Sequence, residues 1–304
     1  MSASAATDRT GLWRALALPG VVWLILLFLT PFYAILAMAM GRLDPVFTTN
    51  IPVWNPLDWD PSVFGQVFGQ LFGGSLGQVF VRTVIFVAVA SVLCLVIGYP
   101  VAYYVSRRAG RWRVPLLLLL VAPFWINYLM RMLSWQNLLT NEGYINRGLH
   151  LLGFVDQPVS WLTGKPITVI LGLVYGYIPF LILPLFAALD RIDRSVIEAA
   201  RDLGASPFRA FVRVTLPLSR QGILAGLVLI TLPMFGDYYT PNLMALGSRP
   251  QTRLIGNEIE TLIHQGIGQA RGAALTLILM AFVSLLMLYY LVTVSRAARE
   301  ARAP

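Results

Sequence analysis

Asp237 is the first candidate for chemistry in this sequence, because it is the one acid set inside a long apolar run, Gln221–Thr240. A carboxylate there can pair with a passing cation near the outer half of a pathway. It can equally serve an internal ion pair with Arg82 or Arg131, or sit exposed at an interface. Glu258 and Glu260 follow in the next polar stretch and could attract the same cation or contact a protein partner. Trp125, Tyr128, Trp135, Tyr175, Tyr177, Tyr238 and Tyr239 could hold alkylammonium groups by cation–π contact. Tyrosine and tryptophan also gather at membrane interfaces for amphipathic reasons, and that belt is the stronger reading of the group. Arg131 is expected to snorkel from the outer end of its apolar segment.

Little else in the chain offers a reaction. His150 and His264 are far apart with no ligand-like cluster around them, so no metal site is expected. The single cysteine, Cys94, lies in an apolar run and reads as a small buried hydrophobe. No histidine–carboxylate–serine spacing marks a nucleophile, so no catalytic residue is assigned. The Gly-x-x-x-x-Gly-Lys-Ser/Thr phosphate loop is absent: the only Gly-Lys pair, Gly164-Lys165, is followed by Pro166. The chain is therefore expected to be neither an ATPase nor another enzyme, and to bind no cofactor of its own.

The elements that must position these residues are membrane spans. Of 304 residues 57% are hydrophobic and only 12% charged, about half the charge of a soluble domain. A bilayer core needs about 20 apolar residues in a helix. Leu16–Met38, Thr83–Val105, Val114–Leu133, Ile167–Leu189, Gln221–Thr240 and Ala273–Ser295 meet that length. The first apolar run is longer than a signal-peptide core, so it is read as an uncleaved span. The expectation is an all-α membrane protein with six transmembrane helices forming one transmembrane domain over 1–304.

The chain carries 23 Lys and Arg against 14 Asp and Glu, a net charge of +9. With a cytoplasmic N-terminus, the inner segments hold 15 of the cations and six of the acids, and the outer segments hold eight of each. The whole excess falls on one side, as the positive-inside rule requires. Both termini are then cytoplasmic, and the basic balance needs no nucleic-acid partner. Proline interrupts five of the six spans, at Pro31, Pro100, Pro123, Pro179 with Pro184, and Pro233. Bent helices of this kind suit a bundle shaped around a pathway. Outside, Pro61–Leu76 places Val63, Phe64, Val67, Phe68, Leu71 and Phe72 on one helical face, fit for the outer membrane surface or a second permease.

The inner loop 190–220 has a design of its own. Ser195-Val-Ile-Glu198 fits a capping box that starts a helix over Val196–Leu203. Gly204 stops it where a left-handed residue is easiest. Ser206-Pro207 starts a second helix, and Pro217 breaks the path into span five. A first helix of eight residues reaches about 12 Å. Capping alone leaves two readings open, a partnerless connection or a docking element; small Ala199 and Ala200 beside Gly204 favour docking.

Glu198-Ala-Ala200, Gly204 and Val214-Thr-Leu216-Pro217 resemble the EAA loop of ABC-importer permeases in residue type and spacing, with Val214 where isoleucine is usual. More of the chain, from about 60 to 290, is similar to the permeases of spermidine/putrescine-type importers. The matching stretches are Gly98-Tyr-Pro-Val-Ala-Tyr-Tyr104, Pro123-Phe-Trp125, Arg131 with Trp135, Asn141-Glu-Gly-Tyr-Ile-Asn146, Gly236-Asp-Tyr-Tyr-Thr-Pro241 and Ile255-Gly-Asn257. Arg131-Met-Leu-Ser-Trp135 departs from that branch's arginine–threonine–tyrosine–alanine–tryptophan run.

The resemblance implies the type I ABC-importer permease fold in a bacterial plasma membrane. It implies a second homologous permease, two ATPase subunits that bind the EAA loops and carry ATP and Mg, and an extracytoplasmic substrate-binding protein. It assigns ATPase coupling to Ser195, Glu198, Ala199, Ala200, Gly204, Ala205, Leu216 and Pro217. For the substrate pathway the candidates are Asp237, Trp125, Tyr128, Trp135, Tyr238 and Glu258. A polyamine or other small organic cation is the implied substrate, with amino-acid-like and other small organic solutes as alternatives. A secondary transporter would normally show an internal repeat or several embedded charges, and a membrane-bound enzyme would need a titratable cluster.

Overall fold

Among the described residues, four helical segments are long and apolar enough to cross a membrane unaided: Leu16–Ala39, Ser75–Arg107, Pro166–Asp190 and Gly266–Thr293. Two further candidates are bent pairs, Gly110–Trp125 with Tyr128–Leu138 at 90°, and Pro207–Leu218 with Arg220–Gly236 at 60°. Taken as one span each, they complete the six that hydropathy predicts. The computed structural model describes residues 4–44, 46, 49–246 and 249–300, with side chains between 16 and 293. The charges counted above at Asp8, Arg9, Arg14, Arg296, Arg299, Glu300 and Arg302 lie outside the described side chains. The chain groups into two compact units, one of residues 1–70 with 259–281, the other of 71–258 with 282–304.

In the first unit, α1 (Ser4–Ala39) leaves Leu16, Leu24 and Phe28 more than 60% exposed, as a lipid-facing helix would. Its end is tied down. Asn50 Nδ2 donates to the Met38 carbonyl at 2.9 Å and the Val53 N–H to that of Ala37 at 3.0 Å, covering carbonyls that a helix end leaves open. The donors sit on or beside a short antiparallel pair, β1 (Arg42–Leu43) and β2 (Asn50–Ile51). Tyr33 packs its ring against Trp54 and Trp59, with centroids 6.2 and 6.1 Å away. The expected amphipathic helix is α2 (Ser62–Gly73), which buries Val67 and leaves Phe72 exposed. It ends before Leu76 because Gly74 is extended and caps the next helix.

The second unit holds α3 (Ser75–Arg107), α4 (Arg113–Val121), α5 (Tyr128–Leu138), α6 (Tyr144–Leu151) and α7 (Pro166–Asp190). The sequence reading of Val114–Leu133 as one straight span is corrected here. After α4 the chain tightens into a 3-10 turn, Ala122–Trp125, with Pro123 in its first positions, and Ile126 is extended. Asn127 then caps a new helix, its Oδ1 accepting the Leu129 N–H at 2.9 Å. Proline supplies no N–H, and the new cap makes the corner a stable alternative to a continuous helix.

Further along lie α8 (Arg194–Asp202), α9 (Pro207–Ala210), a π turn over Phe211–Thr215, α10 (Leu216–Leu218), α11 (Arg220–Gly236) and α12 (Tyr239–Met244). Span five is likewise corrected: it bends at Ser219 rather than at Pro217, and its helix stops at Gly236, four residues short of Thr240. The Ser219 hydroxyl lies 2.8 Å from that of Tyr99 and donates to the Leu216 carbonyl at 3.0 Å, which fixes the bend on α3. The helices α13 (Ile255–His264) and α14 (Gln269–Glu300) close the order.

α7 is the centre of this unit, with α3 and α11 laid against it. Tyr99 and Ala102 of α3 meet Ile182, Leu185 and Leu189 of α7 in a buried cluster that also holds Ile192. Along α11 the buried residues Gly222, Gly226, Ile230 and Met234 recur every four positions, one stripe of a helix. At the arginine-rich end, Arg107 donates to the carbonyls of Leu189 and Ile192, both at 2.9 Å, and Arg113 pairs with Asp190 at 2.9 Å. Those cations cap the last turn of α7, where the helix dipole favours them.

Candidate functional site

Asp237 sits at the end of α11, in an extended residue between two helices, and is 6% exposed. It is therefore not a helical residue within the span, as the sequence implied, but the corner that follows it. Four donors converge on its carboxylate. Tyr128 Oη donates to Oδ2 at 2.8 Å, Tyr177 Oη at 3.2 Å and Thr240 Oγ1 at 2.5 Å, while the Thr240 N–H donates to Oδ1 at 3.1 Å. All four are neutral. Among the described residues no cation lies within 4.0 Å of Asp237, so the internal ion pair with Arg82 or Arg131 is not formed. Arg82 instead donates to the carbonyls of Pro250 and Arg253.

Two glycines of α7 make this cluster possible. Gly172 and Gly176, one turn apart, form a notch into which Thr240 and Tyr128 fit. A Cβ on Gly172 would lie 2.6 Å from Thr240 Cγ2, and one on Gly176 would lie 2.9 Å from both Cε2 and Oη of Tyr128. Sequence reasoning passed over Gly172-Leu-Val-Tyr-Gly176, although small residues four apart in a span are a known signal of close approach.

A second support is Asn257, fully buried. Its side chain accepts from the Leu254 N–H at 3.1 Å and donates to the Tyr238 carbonyl at 2.9 Å and to Asn242 at 3.0 Å. That network fixes the backbone on both sides of the Asp237 corner.

Arg131 is corrected outright. It does not snorkel; it is 6% exposed, with its guanidinium carbon 4.0 Å from the centre of the Phe124 ring. Both Arg131 and Asp237 therefore face into the unit, on either side of Tyr128, whose ring the guanidinium also approaches at 5.3 Å.

The other aromatic candidates separate. Trp125 stands 82% exposed on the 3-10 turn, away from the carboxylate cluster. Trp135 packs on Tyr175, centroids 5.2 Å apart. Tyr238 stacks on Tyr239 at 4.2 Å. Glu258 pairs with Arg253 at 3.1 Å. The structure thus brings Tyr128 and Asp237 together with Tyr177 and Thr240, and does not add Trp125, Trp135, Tyr238 or Glu258 to their hydrogen bonds.

The loop after α7 corrects one cap and matches another. The N-cap of α8 is Asp193, whose Oδ1 accepts the Ser195 N–H at 3.0 Å. Ser195 is thus inside the helix, and the expected capping box with Glu198 is not made. Those N–H and hydroxyl donors hold the Asp193 carboxyl below the usual carboxylate range, aided by the Arg107 charge.

At the other end Gly204 has φ +87°. Its N–H donates to the Arg201 carbonyl at 2.9 Å and that of Ala205 to Ala200 at 3.1 Å, the paired bonds of a Schellman stop. Ser206 caps the next helix through the Arg209 N–H at 3.3 Å, with Pro207 first in it.

This short element has no buried residue. Glu198 and Ala199 are exposed, and Leu203 and Phe208 are 90% and 74% exposed. Two large apolar side chains left open on a polar loop mark an interaction surface. Behind it, Phe211 of the π turn sits edge-on to Tyr99 and Tyr103, at 5.6 and 5.7 Å. Leu216 and Pro217 follow in α10, part-exposed and exposed.

A bent, six-span helical chain with an exposed, stiffly capped loop before its penultimate span has the form of an importer permease. The family of binding-protein-dependent transport system inner membrane components matches residues 12–299, and the chain belongs to it. The spermidine/putrescine transport system permease protein PotB of Escherichia coli (strain K12) is 37% identical over 213 residues, 70% of this chain and 76% of that protein. PotB of Haemophilus influenzae is 34% identical over 268 residues, 88% and 89% of the two chains. A chain from the crystal structure of a bacterial alginate ABC transporter, in complex with alginate pentasaccharide-bound periplasmic protein, has a TM-score of 0.69 at 16% identity. That likeness covers 95% of this chain and 96% of the other. The fold is the all-α, type I ABC-importer permease fold.

Proposed function

We propose that this chain is the permease subunit of an ATP-driven polyamine importer in a bacterial inner membrane, with both termini cytoplasmic. It works beside a second homologous permease, two ATPase subunits that hold ATP and Mg, and an extracytoplasmic binding protein. The one-sided arginine excess supports the orientation. The exposed Leu203 and Phe208 around Glu198, Ala199, Ala200 and Gly204 support docking of an ATPase subunit there. Because α8 is stopped rigidly at both ends, a push on it is passed on rather than absorbed. Phe211, wedged against Tyr99 and Tyr103, carries that push towards α3.

The observation that carries the substrate reading is Asp237. It is a buried carboxylate whose partners are all neutral hydroxyl or amide donors. Burying a charge without an opposite one is costly, so an arriving ammonium group gains more at this carboxylate than at a paired one. Tyr128 and Tyr177 add ring faces beside it.

The test is uptake of labelled spermidine and putrescine by cells lacking their own polyamine importers and expressing this chain with its partner subunits. Uptake is expected, and Asp237→Asn should abolish most of it while the complex still co-purifies. Wild-type levels of uptake in Asp237→Asn would remove Asp237 from the pathway, and no uptake in the wild type would overturn the polyamine reading.

A further inference from the structure

A guanidinium buried without hydrogen-bond partners is rare, because each unpaired N–H forfeits a bond to water. Arg131 is 6% exposed, and its Nε and Nη1 have no partner. Among the described residues no carboxylate lies within 4.0 Å of it. What surrounds the charge is aromatic: the Phe124, Tyr128 and Tyr175 ring centres lie 4.0, 5.3 and 5.9 Å from the guanidinium carbon. A cation in such a box is held by ring quadrupoles alone.

The walls do not depend on their occupant. Phe124 is braced by Phe180 at 5.3 Å, Tyr128 by Tyr177 at 6.0 Å, and Tyr175 by Trp135 at 5.2 Å. The Tyr128 wall is also the side chain that donates to Asp237, so box and carboxylate share one residue. An arginine side chain is a short methylene stem ending in a cation, which is chemically close to one arm of an alkyl polyamine.

We propose that the Phe124–Tyr128–Tyr175 box is a subsite for an alkylammonium group of the substrate, occupied in the empty permease by Arg131, which the arriving cation displaces. This rests on the polyamine reading and adds to it a criterion of selectivity. With Arg131 in place, its charge and that of Asp237 cancel, so a monocation gains little. A ligand with two or more ammonium groups along one chain can meet Asp237 and take the box together.

The test is equilibrium binding of labelled spermidine to the purified complex of permeases and ATPase subunits, without the binding protein. Arg131→Met keeps an apolar stem and empties the box of charge. Its Kd should fall about five- to thirtyfold, or about 1–2 kcal/mol at 1.4 kcal/mol per decade. Arg131→Lys, whose ammonium is more strongly hydrated and less well held by rings, should give a smaller fall. A Kd unchanged within twofold, or raised, in Arg131→Met overturns the proposal. Should that variant not assemble, an unchanged Kd in Arg131→Lys overturns it. No binding by the wild-type complex, with cellular spermidine uptake intact, also overturns it, whereas absent cellular uptake removes the substrate reading beneath it.

Discussion

Adding one methyl group to α7 should disable the Asp237 cluster. In Gly176→Ala the new Cβ would lie 2.9 Å from Cε2 and Oη of Tyr128, where ordinary contact begins at 3.4 Å. The ring must therefore retreat by about half an ångström. A retreat of that size along the bond stretches the 2.8 Å contact from Tyr128 Oη to Asp237 to about 3.3 Å, beyond the normal range for a hydroxyl donor.

A hydrogen bond to a charged group contributes about 1.5–3 kcal/mol, and overpacking adds about 1–3 kcal/mol of strain. Spermidine uptake by Gly176→Ala should accordingly fall about tenfold or more, with the amount of membrane-inserted chain measured in parallel by immunoblot. Gly148→Ala is the control. It makes the same substitution within α6, where nothing lies within 4 Å, and alanine is the better helix former. Equal uptake by Gly176→Ala, Gly148→Ala and wild type would refute the claim that Tyr128 is held in register by the α7 notch.

At Gly204 a Cβ would meet no neighbour within 4 Å, so the cost of Gly204→Ala is that of φ +87° alone, about 1–2 kcal/mol for an L-residue. Less uptake per ATP hydrolysed is expected from Gly204→Ala and far less from Gly204→Pro, whose ring fixes φ near −65° and deletes the N–H bonded to Arg201; normal coupling in Gly204→Pro would count against the role of α8. The Asp193 cap should make α8 sensitive to acid. Its carboxyl titrates below the model value of 3.8, so its contribution is present above that pH and is lost as pH falls through the lower, folded value. Amide-exchange protection over residues 194–203, corrected for intrinsic rates, should hold at neutral pH and drop below about pH 3.8. In Asp193→Asn that drop should vanish, and a drop of equal size would assign it to another group.

Hydropathy identifies all six candidate spans because length and apolarity are one-dimensional properties. The two corners are harder to read. Pro123 and Pro217 mark bends, but the first corner is made by Asn127 as a new N-cap, and the second is fixed by a hydroxyl pair, Tyr99 with Ser219, 120 residues apart. No local pattern reports that pairing. Asp193 and Ser195 are both good N-caps, and the choice depends on where α7 releases the chain. The Gly204 stop is legible because only one residue there tolerates a left-handed backbone.

Within the site, Asp237 and Tyr128 are legible as types, an acid and an aromatic in apolar surroundings. Their juxtaposition is not, since it is produced by the absence of side chains at Gly172 and Gly176. Arg131 reads as an interfacial arginine for the same reason: a sequence shows a cation near a span end but not three rings folded round it.

The π turn over Phe211–Thr215 also constrains how this loop can change length. A π turn holds one residue more than an α-helical path between the same ends. Removing one residue there would let the segment relax into a regular helix and rotate everything downstream by about 100°. The stripe Gly222, Gly226, Ile230 and Met234 would then turn away from α7, and Phe211 would lose its seat between two tyrosines. The extra residue works as a phase-setting insertion, aligning two helical surfaces whose periods would otherwise fall out of step. Deletions in this stretch should therefore be far more damaging than substitutions, even at Val212, which is 40% exposed.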